Sequence, residues 1–86
     1  MNLENLFGIW ESEFGRRPVS SSALHWQACN GNEALADAIG HPLPGSKSLG
    51  RLLAARAGMT VAGLRLVRCA GRIGNCALWR IERVID

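Results

Sequence analysis

Apolar residues near the start of the chain recur at three- and four-residue steps: Leu3, Leu6, Phe7, Trp10 and Phe14. That period puts them on one face of a helix, with Asn5, Glu11 and Glu13 turned outward. Asn2 can cap its start and Gly15 can end it. The simpler reading of residues 1–15 is a core helix. The sharper one is a surface helix that docks on a larger protein. Arg16-Arg17-Pro18 breaks the pattern, and Ser20, Ser21 and Ser22 offer N-cap hydroxyls for a helix over 20–30, with Leu24 and Ala28 inward. A short helix over 32–39 follows, with Leu35 and Ile39 inward and Gly40 as its stop. The two prolines of His41-Pro42-Leu43-Pro44 make the next segment a rigid link.

From Ser46 the pattern becomes more specific. A helix over 46–57 places Leu49, Leu52 and Leu53 on one face and Lys47, Ser48, Arg51, Ala54 and Ala55 on the other. Gly50 lies beside the leucines, where a small residue lets another helix approach. Arg56 falls near the apolar stripe, where its head can snorkel to the rim. The period then switches from helical to near-alternating across 64–69 and 76–84. Leu64, Leu66, Trp79 and Ile81 share one side, and Arg65, Arg80 and Glu82 the other. The glycine-rich stretch 70–75 between them predicts a hairpin loop carrying Arg72.

Length and composition bound the rest. Eighty-six residues, 48% apolar and 20% charged, make a single ordered domain with one modest core. No apolar run approaches the ~20 residues needed to cross a bilayer. The N-terminus has no basic n-region or apolar h-region, so a cytoplasmic protein is expected. Cys29, Cys69 and Cys76 are odd in number and lack C-x-x-C spacing, which argues against a disulfide framework or a zinc site. Cys69 and Cys76 flank the hairpin loop, where they could face each other. His25 and His41 have no nucleophile placed by spacing beside them, and no phosphate-loop or dinucleotide signature follows a strand. Neither an enzyme nor a cofactor or metal is expected.

Charge changes the picture most. Residues 46–86 hold eight basic residues against two acids, a net +6, whereas residues 1–45 hold two against five, a net −3. The overall +3 hides a polarised molecule whose basic part would attract a polyanion. Three helices followed by a two-stranded hairpin is the plan of an α+β winged helix-turn-helix domain. Residues 20–57 would form the helical core, with a recognition helix at about 46–57. Residues 61–84 would form the wing, tipped by 71–75, and 1–15 would be an extra helix. In that plan Lys47, Ser48 and Arg51 enter the major groove of double-stranded DNA. Arg65 and Arg72 meet phosphates, with Arg68 and Arg80 behind them.

The stretch Ser46-Lys47-Ser48-Leu49-Gly50-Arg51-Leu52-Leu53, then Gly63-Leu64-Arg65-Leu66, then Leu78-Trp79-Arg80-Ile81 carries a likeness. Over residues 14–83 it resembles small winged-helix modules at the C-terminal ends of primase, polymerase or helicase proteins of phages and mobile elements. The resemblance implies DNA binding in replication or maintenance of such an element. The competing class is a protein-interaction module. In it the winged helix is architecture, and the N-terminal helix joins a larger replication protein or a second copy.

Overall fold

The computed structural model describes residues 1–73 and 76–84. Their order is α1 (Leu3–Phe14), β1 (Val19–Ser20), α2 (Ser21–Cys29), α3 (Glu33–Ile39), α4 (Ser46–Ala55), β2 (Thr60–Val61), β3 (Leu64–Ile73) and β4 (Cys76–Arg83). The fold is α+β: four helices pack with an antiparallel sheet of order β1-β4-β3-β2. None of the described helices is long and apolar enough to cross a membrane.

Polar side chains set the helix starts. Asn2 Oδ1 accepts from Asn5 N, Ser20 Oγ from Ala23 N and Asn32 Oδ1 from Leu35 N, each at 3.1 Å. Each bond satisfies a backbone donor that the first helical turn leaves open. α4 ends on Arg56, whose Nη1 donates to Leu52 O at 3.1 Å. Its guanidinium therefore stays at the rim of the apolar stripe, close to the end of the helix.

The core is shared by all four helices and the two long strands. Leu6, Phe7, Trp10, Leu24, Leu35, Leu49, Leu53, Leu66, Trp79 and Ile81 are fully buried or nearly so. α1 is therefore a core helix. Its apolar face packs inside the domain, mainly against α3 and the sheet. Its start is also tied down, because Asn2 N donates to Ala38 O at 2.8 Å. Leu52, expected in the core, is only half-buried. Leu49 and Leu53, one turn apart, define the buried line of α4, and Leu52 falls on its flank.

Two short strands extend the expected hairpin into a four-stranded sheet. β1 pairs with β4 through Val19↔Trp79 and Ser20↔Leu78. β2 pairs with β3 through Val61↔Leu64 across the two-residue turn Ala62-Gly63. Both turn residues have positive φ, 52° and 78°, as a tight hairpin turn with the twist of its strands requires. β3 and β4 pair from Leu64↔Arg83 to Ile73↔Cys76, with a register shift between Cys69 and Arg72. Cys69 therefore sits opposite Leu78, not Cys76, and all three cysteines are free. The shift also corrects the expected wing. Arg72 is not on a loop tip but in β3, opposite Ala77; Gly74 and Asn75 of the expected tip lie outside the described residues.

Candidate nucleic-acid interface

The period of two along β3 and β4 sorts their charges by face. Leu64, Leu66, Trp79 and Ile81 point at the helices and are buried. Cross-strand partners share a face, so Arg68, opposite Trp79, and Arg72, opposite Ala77, lie on that helix-facing side. Arg65, Val67 and Cys69 fall on the far face with Glu82, Arg80 and Leu78 opposite them.

α4 faces Arg68 and Arg72 across an open groove of about 420 Å³. Its near wall is the stripe Ser46, Lys47, Gly50, Arg51 and Ala54; the other walls are Ser21 of α2 and the Arg68–Arg72–Cys76–Ala77–Trp79 part of the hairpin. Gly50 sets the width at its floor. A Cβ there would meet Ser21 Oγ at 3.3 Å, so α4 and α2 approach as closely as a small residue allows. Arg68 is held over the Trp79 ring with its guanidinium carbon 5.7 Å from the ring centroid. A cation stacked on an indole face keeps its charge while losing rotamer freedom. Lys47, Arg51, Arg68 and Arg72 thus converge on one groove, and among the described residues that line it none is a carboxylate. Ser48 is exposed on α4, one step round the helix from Lys47, just outside the groove.

Arg65, Arg80 and Arg83, also of the C-terminal half, are paired with acids. Arg65 Nε donates to Glu82 Oε1 at 2.8 Å, and Arg65 Nη2 makes a second, very short bond to the same oxygen. Arg80 Nη1 donates to Glu82 Oε2 at 3.0 Å. These bonds, with Arg65 the stronger contributor, hold the Glu82 carboxyl below its ordinary value of 4.5. Arg83 Nη2 donates to Glu11 Oε1 at 2.8 Å and ties β4 to α1. Of the seven residues expected to touch DNA, the structure therefore brings four together in the groove and leaves Ser48 beside it. It puts Arg65 and Arg80 on the opposite face. The signal was in the alternation: Arg68 has the parity of Leu64 and Leu66, and Arg65 does not. Compared with known proteins, the chain matches no family model, no curated protein and no solved structure.

Converging cations of this kind can hold anionic groups such as phosphates. Cys76 Sγ lies 2.9 Å from Ser22 Oγ at the groove margin, but neither histidine is in the groove. His25 lies beside Cys29 on α2, and His41 Nε2 is 2.7 Å from Asp37 Oδ1. Among the described residues no group of three or more His, Cys, Asp or Glu could hold a metal ion. Two smaller depressions have a different character. One, beside Phe14, Pro18 and Gln27, has Arg17 as its only basic residue. The other, beside Cys29 and His41, carries Glu33 and Asp37.

Proposed function

We propose that this chain is a winged-helix DNA-binding module without catalytic activity. α4 enters the major groove, the β3–β4 hairpin flanks it, and the phosphates of one strand run between them. The observation that carries this reading is the sorting of charge. Lys47, Arg51, Arg68 and Arg72 line one groove, and no carboxylate stands among its described lining residues; Arg65, Arg80 and Arg83 lie outside that groove, against Glu82 and Glu11. The sheet supports it too. Its order places the long hairpin β3–β4 at the centre and β1 beside the last strand, an arrangement compatible with a winged helix whose wing is braced by a short strand. The resemblance to modules of phage and mobile-element replication proteins suggests the setting, an accessory role in copying or maintaining such an element.

A fluorescence-anisotropy titration with duplex DNA tests the reading. Micromolar binding is expected, with a log–log salt slope of about −3 to −4 for the four groove cations, since each neutralised phosphate contributes about −0.9. Arg51→Ala should flatten any sequence preference, because a guanidinium on a groove-facing helix can read guanine. Arg72→Ala should weaken all sequences alike and take about one from the slope. Arg65→Ala with Arg80→Ala should leave both quantities unchanged. No binding of several sequences at low salt would overturn the proposal, and so would an equal effect from the far-face pair.

A further inference from the structure

The three tryptophans are not placed alike. Trp10 and Trp79 are buried in the core, whereas Trp26 leaves 61% of its surface exposed. It is carried by α2, the helix that closes one side of the cationic groove. Ser21 lines that groove, and Ser22 touches Cys76, which also lines it. Trp26 follows Ser22 by four residues, so it lies on the same helical face one turn further on. Helical side chains lean toward the N-terminus of their own helix, a direction that here runs back toward the groove. Around it on the surface of α2, Ser22, Ala23, Cys29 and Asn30 are exposed and uncharged. No acid among them would repel a nucleic-acid strand.

A cationic channel that follows a backbone, with an exposed aromatic on the helix that forms one of its walls, supplies the two parts of a single-strand binding surface. Charge holds the phosphates, and the ring stacks on a base whatever its sequence. A fully paired duplex keeps its bases stacked on one another and offers the indole no free face. We infer that Trp26 stacks on an unpaired base of the strand whose phosphates lie in the groove. The preferred ligand is then a duplex carrying a single-stranded extension rather than a blunt duplex. This rests on the DNA-binding reading above.

The experiment compares three ligands: a blunt duplex, the same duplex with a 5′ thymine overhang, and the same duplex with a 3′ thymine overhang. Each is titrated against the wild type, Trp26→Ala and Trp26→Phe. One overhang should bind the wild type about five- to a hundredfold more tightly than the blunt duplex, the range expected from one base–aromatic stack. Trp26→Ala should erase that preference while leaving the blunt-duplex affinity and the melting temperature unchanged. Trp26→Phe should keep part of the preference. Acrylamide quenching, which reports the exposed Trp26 far more than its buried counterparts, should fall on adding the preferred overhang. The inference is overturned if the wild type shows no overhang preference, or if the preference survives in Trp26→Ala, as it would were Trp26 a protein-docking residue. Blunt-duplex binding that weakens in Arg51→Ala, with no overhang preference, would sink this inference and leave the DNA-binding reading standing. Absence of binding by every ligand at low salt would sink both.

Discussion

Glu82 holds two of this chain's arginines, Arg65 and Arg80, on the far face of the sheet. Its carboxylate takes hydrogen bonds from both Arg65 and Arg80 on the far face of the sheet, and they hold its pKa below 4.5. A carboxyl depressed in the folded state adds stability above its unfolded value, and that stability is lost as pH falls through the depressed folded value. The melting temperature of the wild type should therefore exceed that of Glu82→Gln at neutral pH. The gap should close on acidification below about pH 4.5, and a gap that is constant from neutral pH to about pH 3 would mean that the ion pairs do not contribute. The leucines of α4 make a second contrast between adjacent residues. Leu53 is fully buried and Leu52 half-buried. Leu53→Ala should cost about 2–5 kcal/mol by thermal or urea unfolding, since it leaves a cavity in close-packed surroundings. Leu52→Ala should cost distinctly less, because water can fill the space beside it. Equal losses would place the buried line of α4 between the two.

At the scale of elements, what was legible in the sequence was whatever carries a period. Four helices and the buried faces of β3 and β4 follow from spacing, because burial repeats every 3.6 or 2 residues along them. β1 and β2 were not legible. Two residues, Val19-Ser20 or Thr60-Val61, hold no period, and they become strands only because β4 and β3 offer them backbone partners. The partner of α1 was hidden for a related reason: an amphipathic face shows that a helix packs but not on what. Arg72 was misplaced because Gly71 reads as a loop, whereas here it stands at a register shift within a strand that continues to Ile73. The β2–β3 turn yields a test of its own. Ala62 holds φ at 52°, a left-handed conformation that costs an ordinary L-residue about 1–2 kcal/mol. Asparagine tolerates that region and is favoured in such turns. Ala62→Asn should raise the unfolding free energy by about 0.5–1 kcal/mol, and a loss of stability in urea titration would show that the turn is not held as described.

At the scale of the whole molecule, the charge asymmetry of the sequence becomes a separation in space. Glu4, Glu11 and Glu13 lie on α1, and Glu33 and Asp37 on α3; the groove cations lie on α4 and β3. None of these acids lines the groove, and the domain measures 35 × 27 × 21 Å, against a Debye length of about 8 Å at physiological salt. At about 0.01 M salt that length grows to about 30 Å and spans most of the molecule. The acids should therefore affect DNA only through the long-range field, and only when salt is low. Replacing Glu4, Glu13 and Glu33 together by glutamine should speed association with duplex DNA in stopped flow at about 0.01 M salt and leave it unchanged at about 0.15 M. Glu11 is left in place because it anchors Arg83. Arg51→Ala should slow association at low salt and also accelerate dissociation at both salts, as expected of a side chain that touches the ligand. An acceleration by the triple variant that persists at 0.15 M would mean that the acidic side lies against the DNA, and α4 could then not be the element that enters the groove.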